Sequence, residues 1–300
     1  MTIKKRIKNF AISIYEIYIS RFLFYLNPRI SPNIIFRHVF KRNINWSNPR
    51  NLQEKTLWLL FNKDTSLWTF CADKYKVREY VTTCGCEDSL VKLYGMWTNI
   101  NQINFESLPE RFILKSNNGC GTNLVVKNKD ELNYDKTIKI LNSWLKKPYG
   151  YNGSQLHYLK IEPCIIAEEL LEQSDINSVA LVDYKVWCFN GKAECIIVIF
   201  NRTKDKYSQI VYNLKWENIS SKVYKNESCY SKSDIPKPKS FLKMIEYAER
   251  LSKKFPQVRV DFYDIKGKLY FGEMTFTAGY GDLSEEYYEY LGDKIKIGDV

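Results

Sequence analysis

Val258-Arg259-Val260-Asp261-Phe262-Tyr263-Asp264 and Leu269-Tyr270-Phe271-Gly272-Glu273-Met274-Thr275-Phe276-Thr277 flank the short run Ile265-Lys266-Gly267-Lys268. Alternating residues around a glycine-containing turn predict two strands of a β-hairpin. The period of two sets Arg259 and Asp261 on one face of the first strand, and Glu273, Thr275 and Thr277 on one face of the second. If the two faces coincide, an arginine and two carboxylates converge on an apolar platform. Carboxylates on a core-facing strand are costly unless cations accompany them. Asp261 and Glu273 therefore read in two ways: as hard oxygen ligands for Mg²⁺ beside phosphates, or as partners of Arg259 in a salt bridge that closes the sheet. The hairpin alone does not choose between them.

Upstream, residues 240–255 read as a helix with Phe241, Met244, Ile245, Ala248 and Leu251 on one face, and 202–239, polar with Pro236 and Pro238, as loop with short strands at most. Asp183-Tyr184-Lys185-Val186-Trp187-Cys188-Phe189 leads into Asn190-Gly191, a strong hairpin signal, and the chain returns through 193–200. Asp183 and Lys185 share a strand face, which suits a ribose-binding carboxylate beside a phosphate-binding ammonium. Before that, Cys164-Ile165-Ile166-Ala167 runs into Glu168-Glu169-Leu170-Leu171, either an adenine-binding linker or a solvated strand end.

Phe112-Ile113-Leu114-Lys115 reads as a strand ending in lysine, then Ser116-Asn117-Asn118-Gly119-Cys120-Gly121-Thr122 as a loop and 123–127 as a second strand. A glycine loop lets backbone N–H groups approach an anion closely. It lacks the G-x-x-x-x-G-K-[ST] pattern of a Walker A loop, and a plain hairpin also fits it. Residues 51–80 read as helices, with Lys74 in Ala72-Asp73-Lys74-Tyr75 unremarkable on its own. At the amino terminus Lys4, Lys5, Arg6 and Lys8 precede an apolar stretch to Leu26, broken by Glu16 and Arg21. These charges argue against a membrane span. A buried packing helix is expected there, and the alternative is a basic amphipathic segment lying peripherally on anionic lipid.

The whole chain has 300 residues, 45% hydrophobic and 26% charged, enough to bury a sizeable core. Its net charge of +11 is spread along the sequence without a nucleic-acid-binding signature, so no nucleic-acid partner is expected. The eight cysteines include no C-x-x-C pair and there are two histidines, His38 and His157, so a structural zinc is not expected. No cleavable signal pattern is read, and reduced thiols in a cytoplasmic protein are the simplest expectation.

Taken in order, the segments 73–80, 112–115, 118–121, 167–169, 183–191 and 259–277 resemble the ATP-grasp superfamily, and within it the TupA-like family named for teichuronopeptide biosynthesis. Each is weak alone; their order over about residues 48–292 carries the resemblance. It implies an α+β fold in which two α+β subdomains clasp ATP, with a basic helical segment (1–50) and a helical region (51–111) before a small subdomain (112–171) and a large one (172–300). It also implies roles. Lys74 and Lys115 would contact ATP phosphates under the loop of Asn118, Gly119 and Gly121. Glu168, Glu169 and Leu171 would line adenine, and Asp183 would bind ribose. Lys185 and Arg259 would serve the transferred group, and Asp261, Glu273 and Thr275 would hold Mg²⁺. Thr275 stands where the superfamily commonly has Asn and is a weaker oxygen ligand.

The implied reaction joins a carboxylate to an amine through an acyl phosphate in bacterial capsular or teichuronopeptide-type polysaccharide synthesis, with ATP and an anionic glycan or amino acid as partners. The alternatives are a glycosyltransferase and a sugar-kinase-like phosphotransferase on the same frame.

Overall fold

The computed structural model describes residues 18–173, 176, 178–204 and 206–297. Helices α1 (Ser20–Leu26), α2 (Ile30–Phe40), α3 (Leu52–Asn62), α4 (Ser66–Ala72) and α5 (Val77–Thr83) come first. A capping box starts α3: Asn51 accepts from the Glu54 backbone N–H at 2.9 Å and Glu54 accepts from that of Asn51 at 3.3 Å. The basic residues at 4–8, and Ile12, Ile14 and Ile17, lie outside the described residues. Over α1 the expectation of a buried packing helix fails: Phe22, Tyr25 and Leu26 are exposed. This seven-residue helix rests Phe24 and Tyr25 on Tyr151, with ring centroids 5.2 and 6.0 Å away, and Arg21 lies over the same ring, while Ser20 is its one buried residue.

Strands β1 (Leu93–Trp97), β2 (Phe112–Ser116) and β3 (Asn123–Val126), then helices α6 (Tyr134–Lys146) and α7 (Leu156–Leu159) and strand β4 (Ile165–Glu169), build the smaller unit. Its sheet runs β1-β4-β2-β3 and is wholly antiparallel. Phe112 and Leu114 point into a small core shared with Leu141 of α6, Ile165, Ala167 and the loop residues Ile100 to Leu108. Ile113 and Lys115 face the other way, as the period of two requires.

The second unit holds β5 (Asp183–Phe189), β6 (Lys192–Phe200), β7 (Ser208–Tyr212), α8 (Ser220–Val223), α9 (Phe241–Ser252), β8 (Gln257–Ile265), β9 (Lys268–Thr275) and α10 (Glu285–Asp293). Its sheet, in the order β7-β6-β5-β8-β9, is also antiparallel throughout. Asn190 and Gly191 turn β5 into β6 with φ of +49° and +76°, the left-handed pair that a tight hairpin demands. Helix α9 packs Met244, Ala248 and Leu251 onto β5, β6 and β8, so every residue of β5 is buried. A glycosyltransferase of the Rossmann type is built on parallel βαβ units; among the described residues neither sheet contains a parallel pair.

Candidate functional site

The β8–β9 register pairs Arg259 with Thr275 and Asp261 with Glu273, so the two polar faces of the hairpin coincide. A bulge follows Asp261, opposite Gly272, where a Cβ would lie 3.0 Å from the Asp261 carbonyl oxygen. Lys185 stands beside Asp261 on the next strand. It bonds the Asp261 carboxylate and lies 3.7 Å from Asp183. Arg259 grips Asp261 with two hydrogen bonds of 2.7 and 2.8 Å and donates to the Thr275 hydroxyl at 3.1 Å, while Thr275 donates to Glu273 at 3.2 Å. The salt-bridge alternative is thus realised at Asp261. Both Asp261 oxygens are taken by cations, whereas Glu273 is held more loosely, 3.5 Å from Lys74 and 3.7 Å from Arg259. Burial pushes the Glu273 carboxyl up, but Lys74, Lys185 and Arg259 outweigh it and hold the pKa down at about 2.

From the other side comes the glycine loop. Gly119 and Gly121 have φ of +71° and +75°, which only glycine adopts freely. Lys74, just beyond α4, donates to the Gly119 carbonyl at 2.6 Å, tying the helical region to the loop. Lys115 donates to Glu168 at 2.8 Å, and Arg78 reaches the other oxygen of that carboxylate at 3.2 Å. Lys74, Lys115, Lys185 and Arg202 meet Asp183, Asp261 and Glu273 around a cavity of about 170 Å³. Four cations against three carboxylates leave positive charge facing the space, the polarity an anionic ligand needs.

A second cavity, of about 340 Å³, adjoins it between the sheets. Val91, Ile113, Val125, Leu171 and Phe271 give it apolar walls, with Glu168 and Glu169 at its edge. A third, of about 110 Å³, lies beyond Lys185 and Arg259 among Trp187, Ile197, Ile199, Tyr224 and Leu283. Lys185 lines both this cavity and the charged one. The Tyr224 hydroxyl, buried here, has no hydrogen-bond partner among the described residues.

Most of the residues singled out in the sequence therefore meet in one place. Six stand outside the lining of the charged cavity: Glu168, Glu169 and Leu171 line the adjoining apolar one, Asn118 a neighbouring one, Arg259 the third, and Thr275 sits behind Arg259 and Glu273. Arg202, read from the sequence as part of a solvated loop with contact to an anionic glycan as the alternative, instead has its guanidinium 3.0 Å from Asp183. Sequence reading passed over Arg78 and Tyr263; only Arg78 left a trace, as a charge one turn after Lys74. His38 and His157 line none of these three cavities.

Comparison with solved structures returns ATP-grasp enzymes at low identity. D-alanine–D-alanine ligase from Bacillus anthracis matches at 16% identity over 75% of this chain and 66% of that one, with a TM-score of 0.47. The ADP complex of PurK, an N5-carboxyaminoimidazole ribonucleotide synthetase, matches at 14% over 75% and 50%, TM-score 0.46. The ATP-grasp ligase PsnB with its minimal precursor matches at 11% over 78% and 62%, TM-score 0.42. The chain spans less than two thirds of the length of each. No curated protein matches. The family model described as TupA-like ATPgrasp covers residues 54–296, from the capping box of α3 to the end of α10 and beyond, and with it every cavity described above. The chain belongs to the TupA-like ATP-grasp family.

Proposed function

We propose that this protein is an ATP-dependent carboxylate–amine ligase that forms ADP and acts in the synthesis of a bacterial surface polysaccharide. The observation that carries the reading is the meeting of two cavities at Lys185: one ringed by cations, the other reaching Arg259 and walled by apolar side chains. A triphosphate and a carboxylate placed in them would have their reacting ends on either side of the same ammonium group.

In this reading adenine occupies the apolar 340 Å³ cavity beside Glu168, Glu169 and Leu171, and Asp183 takes the ribose. Lys74, Lys115 and the N–H groups around Gly119 and Gly121 hold the phosphates. Glu273, held loosely by Lys74 and Arg259 and with Thr275 behind it, would be the first ligand to Mg²⁺, and Asp261 would join it only by giving up Lys185 or Arg259; two carboxylates sharing an ion with phosphate oxygens is the usual donor set for this metal. Bound there, it would neutralise phosphate charge. The substrate carboxylate oxygen attacks the γ-phosphorus and the bond to the β–γ bridging oxygen breaks, its electron pair leaving with ADP. An amine then attacks the acyl carbon, phosphate departs with the C–O electron pair, and the amine gives up its proton. Lys185 and Arg259 stabilise the charge that moves, and positioning with electrostatics supplies the catalysis. The net charge of +11 suits an anionic acceptor, such as a uronic-acid glycan.

Hydroxylamine supplied as the amine tests the chemistry. Mg·ATP with a panel of uronic and amino acids should give carboxylate-dependent ADP and a hydroxamate. AMP and pyrophosphate, a phosphorylated sugar without hydroxamate, or turnover of UDP-sugars would each overturn the proposal.

A further inference from the structure

A cavity of about 230 Å³ lies on the far side of the glycine loop and plays no part in the chemistry above. Trp144, Tyr149 and Tyr151 supply three aromatic rings to its wall, and Asn118, Asn152 and Gln155 supply three carboxamides. Among the described residues Lys147 is its one charged lining residue, and no carboxylate faces it. Asn118 is 6% exposed. Its carbonyl oxygen accepts from Ser116 at 2.6 Å, which turns the amide nitrogen away from that bond, and the nitrogen has no partner among the described residues. The amide donor is thereby left to meet an acceptor in the cavity.

Aromatic rings offer apolar faces, and carboxamides present a donor and an acceptor side by side. A pyranose has the matching chemistry, with flat patches of C–H and a rim of hydroxyls that both donate and accept. We propose that this cavity is a binding subsite for an uncharged sugar ring and that the glycine loop couples it to the nucleotide. The coupling has a physical route. Cys120 and Thr122 line both this cavity and the charged one. Tyr149 packs so closely on Gly119 that a Cβ there would lie 2.6 Å from the ring, and its hydroxyl is 3.4 Å from the Cys120 sulfur. A ring seated on Tyr149 fixes the segment that closes over phosphate, so each ligand should favour the other. The subsite does not depend on the ligase reading: a protein that binds ATP and no sugar loses the subsite and keeps its nucleotide site.

Saturation-transfer NMR with methyl β-glucoside and methyl β-N-acetylglucosaminide, and with adenosine as a flat aromatic control, tests the assignment on the whole chain. Transfer to a glycoside and not to adenosine is expected in the presence of a non-hydrolysable ATP analogue. In N152A/Q155A, which removes two amides that make no internal side-chain bond among the described residues, transfer should fall to background while the sugar-free Kd for the analogue stays unchanged. In the native chain the bound glycoside should tighten that Kd by about fivefold or more. Absence of transfer to both glycosides, transfer retained in the double variant, or an analogue Kd indifferent to sugar would overturn the proposal.

Discussion

Lys185 and Lys115 face the same cavity from opposite sheets, and their surroundings differ in a way that separates folding from binding. Lys185 sits on a strand buried on both faces, its side chain 10% exposed, with Asp261 and Asp183 to either side. Lys115 sits on a strand buried on one face, its side chain 27% exposed, with Glu168 as its carboxylate partner. In the large sheet, charge is enclosed and mutually neutralised; losing Asp261 leaves Lys185 and Arg259 with only the more distant Asp183 and Glu273, each 3.7 Å away. In the small sheet, Lys115 shares Glu168 with Arg78, so it can turn to a ligand while Arg78 keeps that carboxylate paired. The large sheet is thus a preformed charged floor, and the small sheet with its glycine loop holds the adjustable side.

The largest effect should come from breaking the floor. Asp261→Ala strands Arg259 and Lys185 together, and denaturant unfolding should show a loss of about 3–5 kcal/mol. A loss under about 1 kcal/mol would mean that the web is a feature of the site alone. Lys115→Ala should invert this behaviour. Its unfolding midpoint should barely move, whereas calorimetric titration with an ATP analogue should show affinity reduced about tenfold to a hundredfold, the worth of one charge-assisted hydrogen bond. If both variants lose stability equally, the contrast between the sheets is void.

Gly119→Ala against Gly121→Ala sharpens the picture within the loop. Both positions have left-handed backbone, so each substitution costs about 1–2 kcal/mol. Only at Gly119 does the new methyl meet Tyr149, while nothing lies within 4 Å at Gly121. The excess loss of nucleotide affinity in Gly119→Ala over Gly121→Ala measures what the Tyr149 contact contributes to loop placement; equal losses would show that the contact is incidental.

Much of this was legible in the sequence, because period-two alternation fixes which residues of one strand share a face and glycine turns mark where strands reverse. Spacing put Arg259 with Asp261 on one face and Glu273 with Thr275 on one face of the next strand, and the pairing register, with its bulge after Asp261, made the two faces coincide. Long-range placement was not legible. Arg202 follows a strand and precedes polar residues, so nothing local marks it as the partner of Asp183. Strand β7 hides in the same stretch because Ser208 and Gln209 dilute its apolar signal at the sheet edge. At α1 the aromatic content suggested burial, yet a helix of seven residues covers one side of itself only. The choice between salt bridge and metal ligand at Asp261 needed distances, since both readings require the same residues.

The smallest effect at neutral pH should come from His157, which tests the dryness of the core behind the floor. It is fully buried, tilted against Tyr158 at 4.3 Å and edge-on to Trp68 and Phe276 at 6.0 Å each. Neither ring nitrogen has a hydrogen-bond partner among the described residues, and burial lowers its pKa to about 3. The native state therefore keeps the ring neutral while the unfolded chain protonates it near pH 6.5. As pH falls from about 6.5 toward 3 the unfolded state binds the extra proton, so this residue removes stability with a slope of up to about 1.4 kcal/mol per pH unit. His157→Phe keeps the aromatic packing and abolishes that proton. Its thermal midpoint at pH 7 should lie within a few degrees of the native value, and its decline between pH 6 and 4 should be shallower. Parallel declines would mean that His157 takes up its proton inside the folded protein, and that water reaches the core on which the enclosed charges of the large sheet depend.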